Sequence, residues 1–241
     1  MGAIRANLQA VSARIARAAQ AAGRDPHTVR VLAVSKMHPA AHVDEAYHAG
    51  QIAFGENYVQ EALGKMQALA RLPLEWHLIG PLQSNKARLA AERFAWVQSV
   101  ASERVARRLS ENRSAEQAPL NVLVQVNVSG ETSKSGVAPA ALPALAHVVA
   151  GLPRLRLRGL MAIPEPTADI ALQRARFGVA RRCYDALAGE GLALDTLSLG
   201  MSDDLEAAIA EGSTMVRIGT AIFGPRGTGG AHPDGVAKTH S

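Results

Sequence analysis

Short apolar runs alternate with amphipathic stretches along the whole chain. The sharpest run, Val31-Leu32-Ala33-Val34-Ser35, shows no polar alternation, ends in Lys36 and is stopped by Pro39. Such a run reads as a strand buried on both faces. Equivalent runs predict strands over residues 29–35, 51–54, 75–79, 95–100, 120–128, 156–163, 196–201 and 214–218. Ile4, Leu8, Val11, Ile15 and Ala18 recur at helical spacing and predict a helix over 4–22, ahead of the first strand. Between the strands, helices are predicted over 39–49, 56–72, 83–93, 102–113, 139–150, 169–188 and 203–211, with Ser102 as a cap.

Regular alternation requires parallel strands, because each helix carries the chain back before the next strand starts. Eight such units predict one closed (β/α)₈ barrel of the TIM type over residues 1–224, preceded by an extra N-terminal helix and lacking a C-terminal β-domain. Residues 225–241, rich in Gly and Pro without apolar periodicity, read as a flexible tail.

Composition narrows the function classes. Of 241 residues, 48% are hydrophobic and 20% charged, as expected for a packed globular chain. Aromatic residues make up 4%, too few for a base-stacking surface, so no nucleic-acid partner is expected despite the net charge of +5. Arginines such as Arg104, Arg107, Arg108, Arg174, Arg176, Arg181 and Arg182 spread that charge over helix faces. The lone Cys183 allows no intrachain disulfide and reads as a structural thiol. With no leader-like segment and no run of membrane-spanning length, the expectation is a cytoplasmic monomer away from membranes. Asn112-Arg113-Ser114 and Asn127-Val128-Ser129 are then chance glycosylation matches. No spacing of His, Cys and carboxylates suggests a metal.

In a barrel of this kind the carboxyl ends of the strands share one mouth. A lysine desolvated at such an end is an amine able to attack a carbonyl, although a strand-end lysine can also simply snorkel to water. The ends of the seventh and eighth strands, Gly200-Met201-Ser202-Asp203 and Arg217-Ile218-Gly219-Thr220, offer turns, hydroxyls and backbone N–H groups of the sort that hold phosphate. Ser202 could instead cap a helix starting at Asp203. An anion cradle and Lys36 on opposite sides of one mouth fit a phosphorylated aldehyde, and pyridoxal phosphate is the candidate. Arg217 can donate to a pyridine nitrogen and cannot accept from it, which makes a weak electron sink. His77, interior-facing on the third strand, is either a further cofactor contact or a locally satisfied wall residue. Glu56, Asn127 and Lys134 are expected to order rim loops.

Several runs together carry a resemblance. They are Leu32 to Lys36, FGENYVQE at 54–61, WHLIGPLQSNK at 76–86, VNVSGETSKSG at 126–136, GLMAIP at 159–164, and LSLGMSDDLEAAI with VRIGTAIFG within 197–224. The chain resembles the pyridoxal phosphate homeostasis protein family, related to the barrel domain of alanine racemases. The resemblance implies a fold-type III barrel with the cofactor as an aldimine on Lys36. It also implies phosphate at Ser202, Gly219 and Thr220, with Met201 beside them, Arg217 at the ring nitrogen, and Asn57 near the ring or its hydroxyl. Met37-His38 and Leu199 depart from the usual pattern, so the resemblance implies no specific role for position 38. The implied function is carriage or buffering of pyridoxal phosphate in vitamin B6 homeostasis, with pyridoxal-phosphate-dependent apo-enzymes as recipients. The alternative is an amino-acid racemase, which needs a second acid/base group. The related racemases take a tyrosine for it from an additional domain, whereas Tyr47, Tyr58 and Tyr184 here fall in predicted helices. A Schiff-base aldolase on the same barrel is a third reading.

Overall fold

The computed structural model describes residues 2–130 and 135–225. In chain order the elements are α1 (Ala3–Ala21), β1 (Arg30–Val34), α2 (Ala40–His48), β2 (Ala53–Glu56), α3 (Val59–Ala68), β3 (Glu75–Leu78), α4 (Ala87–Arg93), β4 (Trp96–Val100), α5 (Glu103–Asn112), β5 (Leu120–Gln125), α6 (Leu142–Gly151), β6 (Leu155–Met161), α7 (Ile170–Gly189), β7 (Thr196–Ser198), α8 (Leu205–Ala210), β8 (Met215–Ile218) and α9 (Thr220–Phe223). The strands pair in parallel and in sequence order, and β8 returns to β1 through Leu32↔Arg217 and Ala33↔Ile218, closing the predicted barrel.

The sheet separates two kinds of apolar packing. Outside it, residues such as Ala33, Phe54, Val97 and Val122 meet the buried faces of the helices. The stripe Ile4, Leu8, Val11, Ile15 and Ala19 seats α1 on that layer, each large side chain contributing about 1.5–3 kcal/mol of burial. Inside the barrel are two smaller clusters, Leu32–Val34–Ala53–Ile79–Met215 and Trp96–Leu123–Met161. Polar side chains run between them.

The second strand differs most from expectation. It occupies Ala53–Glu56 rather than 51–54, because Gly55 and Glu56 pair with His77 and Leu78. Tertiary pairing overrides the poor strand propensity of Gly and Glu here. The following helix consequently begins at Val59 instead of residue 56 and leaves Tyr58 outside it, at the N-cap. Likewise β7 stops at Ser198, α8 starts at Leu205, and the four-residue α9 has no counterpart in the sequence periodicity. Ser102 does cap α5, accepting from the Val105 N–H at 3.3 Å. Lys134 and the tail residues 226–241 lie outside the described residues.

Candidate active-site cavity at the carboxyl mouth

A cavity of about 440 Å³ opens at the carboxyl ends of the strands. Of the eight residues proposed from sequence, Lys36, Asn57, Met201, Ser202, Arg217, Gly219 and Thr220 line it.

Lys36 stands two residues beyond β1, in a turn closed by the His38 N–H donating to the Ser35 carbonyl at 3.0 Å. The turn forces Met37 into the left-handed region at φ 62°, a conformation that costs a non-glycine residue roughly 1–2 kcal/mol. It is held there from behind. The Glu61 carboxylate accepts from the Met37 N–H at 2.5 Å, and Lys65 Nζ donates to Ser35 O at 2.6 Å and to Glu56 and Glu61 at 2.7 Å each. Ser35 Oγ donates to the same Glu56 oxygen at 2.6 Å. Glu56 is therefore a fully buried anchor behind the lysine rather than an orderer of rim loops. Burial pushes its carboxyl above the usual range, against the pull of Lys65. Asn127 does order its loop, accepting from the Ser129 and Gly130 N–H groups at 3.2 Å.

The β7 and β8 ends are fastened by α1. Gly200 takes φ 88° and lies so close to α8 that a Cβ would sit 2.6 Å from that of Ala208. Asp204 accepts from the Met201 N–H at 2.6 Å, so that N–H is already committed inside the loop. Arg14 pairs with Glu206 and donates to Ser202 O at 2.6 Å, while Asn7 donates to Ile222 O of α9 at 2.9 Å. Since α8 begins at Leu205, Ser202 is not its cap, and it lines the cavity.

Arg217 closes the floor. Its guanidinium donates to Ser198 O at 2.6 Å, Ser198 Oγ at 2.8 Å and Ala162 O at 2.9 Å. Burial lowers its pKa to about 10, against Asp204, and leaves it cationic at neutral pH.

Two expectations are corrected by the geometry. His77 does not line the cavity: both its ring nitrogens are occupied, by Glu75 at 2.8 Å and Gln98 at 2.9 Å, and its ring stacks on Trp96. It is the wall residue of the two readings. The lysine and the cradle are also not on opposite sides of the mouth, because closure makes β8 the direct neighbour of β1. The cavity wall also includes Gln125 and Ile163, which the sequence reading did not single out. Gln125 was detectable as one of the polar residues, with Asn121 and Asn127, that interrupt the apolar run 120–128. Among the described residues no group of three or more His, Cys, Asp or Glu could hold a metal, and no helix is long and apolar enough to cross a membrane.

Comparison with known proteins bears on the family. The model of the alanine racemase N-terminal domain matches residues 6–227. The chain belongs to this family. Among curated relatives, the pyridoxal phosphate homeostasis protein of Pseudomonas aeruginosa is 63% identical over 229 residues, covering 95% of this chain and 98% of that one. The protein of the same name from Escherichia coli strain K12 is 56% identical over 226 residues, covering 91% and 95%. Within the racemase-like family the chain is thus a member of the pyridoxal phosphate homeostasis group. Among solved structures, PipY of Synechococcus elongatus with PLP bound superposes with a TM-score of 0.81 at 40% identity, over 92% of this chain and 100% of that one. Alanine racemase from Corynebacterium glutamicum shares the fold, with a TM-score of 0.66 at 19% identity, over 95% of this chain and 62% of the racemase.

Proposed function

We propose that this protein binds pyridoxal phosphate through Lys36 and carries or buffers it within vitamin B6 homeostasis, without efficient turnover of amino acids. The observation that carries the reading is that Lys36, Ser202, Thr220 and Arg217 all line one cavity of about 440 Å³. When bound, the cofactor's aldehyde condenses with an amine, releasing one water and giving a reversible covalent link that absorbs visible light.

The residues present fit such a group. Lys36 would supply the amine, Ser202, Gly219 and Thr220 would supply donors for the phosphate, with Met201 alongside, and Asn57 would serve the ring or its hydroxyl. Arg217 would meet the ring nitrogen and, as a group that only donates, would leave that nitrogen unprotonated. The names of the curated relatives and the PLP-bound PipY support the same reading.

Racemisation would need a second acid/base on the face away from Lys36. Tyr47 lies in α2, Tyr184 in α7 and the half-exposed Tyr58 at the N-cap of α3; none lines the cavity. That arrangement favours a carrier, with apo-enzymes that require pyridoxal phosphate as recipients. Purified protein saturated with pyridoxal phosphate is expected to show a visible band. With ~10 mM L-alanine it should form D-alanine far below the usual enzymatic range, and a kcat above about 1 s⁻¹ would overturn the carrier reading. A colourless protein at saturating cofactor would overturn cofactor binding through Lys36 and favour the aldolase.

A further inference from the structure

The barrel interior holds a continuous row of polar side chains from the cavity floor to the opposite rim. Arg217 donates to Ser198 Oγ at 2.8 Å, and Ser198 Oγ donates to Gln98 Oε1 at 2.8 Å. Gln98 Nε2 donates to His77 Nδ1 at 2.9 Å, and His77 Nε2 lies 2.8 Å from Glu75 Oε1. Arg30 donates to that carboxylate oxygen at 2.8 Å and ends the row at the amino-terminal rim. Ser198, Gln98 and His77 are fully buried.

Only one direction of donation suits every member. A guanidinium has no acceptor, so Ser198 Oγ accepts from Arg217 and spends its own proton on Gln98 Oε1. The Gln98 amide nitrogen then faces His77 Nδ1 and, at 3.2 Å, Met215 Sδ, a thioether that can only accept. The sulfur fixes the amide orientation independently of the histidine. Nδ1 must therefore be unprotonated, and Nε2–H donates to Glu75. Trp96 stacks on the imidazole at 5.0 Å with the planes 7° apart, holding the ring in the line of the row. Burial keeps His77 below its ordinary pKa, and the His77 hydrogen bond with Arg30 beside it draws Glu75 down to about 2, consistent with a neutral ring on a carboxylate.

We propose that Ser198, Gln98 and His77 are positioning residues, forming a one-way hydrogen-bond chain that aims Arg217 as a fixed donor at the cavity floor and ends on Glu75 at the far rim. Its consequence for pyridoxal phosphate rests on the function proposed above. The chain makes no provision for a proton moving toward the cavity, because Arg217 returns none. The ring end of a bound cofactor would then face a cation held in part from within the barrel. Breaking any link leaves a buried donor or acceptor unpaired and loosens a side-chain hold on Arg217, whose other bonds go to the Ser198 and Ala162 carbonyls.

The first test uses the native protein without added cofactor. Two-dimensional ¹H–¹⁵N correlation of the imidazoles is expected to show His77 as a single neutral tautomer with the proton on Nε2. A proton on Nδ1, or an imidazolium at neutral pH, overturns the chain whatever the protein binds. The second test compares His77→Gln with His77→Leu after loading with pyridoxal phosphate. Glutamine can present an acceptor to Gln98 and a donor to Glu75, so the visible absorption maximum and affinity should stay native. Leucine cannot, and should shift the maximum and weaken binding about tenfold. Identical spectra and affinities in all three proteins would overturn the positioning role. Should the native protein fail to take up pyridoxal phosphate, the proposed function falls and the tautomer measurement still decides the chain.

Discussion

Lys36 and Lys65 approach the same turn of chain from its two sides. Lys65, 7% exposed, gives its protons to Ser35 O, Glu56 and Glu61, all fixed in the wall behind the turn. Lys36, one residue beyond Ser35, lines the cavity in front. The residue type is the same and the jobs are opposite. What separates them is the register of β2: once Gly55 and Glu56 join the sheet, a carboxylate is delivered behind the turn, and Lys65 on α3 is the cation that answers it. A buried ammonium with three acceptors is a structural pin, and a lysine that lines an open cavity is placed where a ligand can meet it.

The contrast is broken most directly by removing each amine in turn. Lys36→Ala is expected to abolish all borohydride-trappable cofactor while leaving the thermal midpoint near that of the native protein, checked by mass spectrometry and calorimetry. Retained labelling would show that another lysine carries the covalent link. Lys65→Met should do the reverse, retaining a trappable adduct at saturating cofactor while losing roughly 3–5 kcal/mol in urea unfolding, since it leaves Glu56 buried without its counter-charge. The pH dependence sharpens this. A carboxyl whose folded pKa lies above its ordinary value of about 4.5 holds its proton longer in the native state, so stability falls as pH rises from 4.5 toward the raised value. Removing Lys65 takes away the main charge that opposes that rise, so the penalty should be greater at pH 8 than at pH 5. Equal penalties at both would mean that Glu56 is not the group left unbalanced.

The same contrast marks where sequence reasoning stops. Lys36 was legible because an unbroken apolar run ended in a single cation, and the ends of β7 and β8 because eight alternating units place them at one mouth. The Glu61–Lys65 pair was not. At i,i+4 on a helix it has the spacing of an ordinary surface ion pair, and only a two-residue shift of β2 turns it inward. The interior chain was hidden for a different reason. Ser198 and Gln98 are 100 residues apart, and their pairing exists only once the barrel has closed. His77 was correctly seen to face inward, but its depth depends on β3 pairing with β2 and β4, which periodicity within one strand does not carry. The N-terminal helix was visible as a helix, whereas its role as the fastening of both cradle loops rests on Arg14 and Asn7 reaching 188 and 215 residues ahead.

The smallest effect tests whether the cavity side of the contrast extends beyond the lysine. Ser202→Ala removes a hydroxyl from the cavity wall and leaves in place the Ser202 carbonyl that Arg14 holds, the Met201 N–H bond to Asp204, and α8, which Ser202 does not cap. A hydrogen bond to a charged phosphate contributes about 1.5–3 kcal/mol, so pyridoxal phosphate should bind roughly 10–100-fold more weakly. Free pyridoxal, which lacks the phosphate, should bind the native and variant proteins alike. Melting temperature should not move. A variant that melts early and binds both ligands equally poorly would show that the hydroxyl holds the loop together, placing Ser202 with Lys65 in the wall instead of with Lys36 in the cavity.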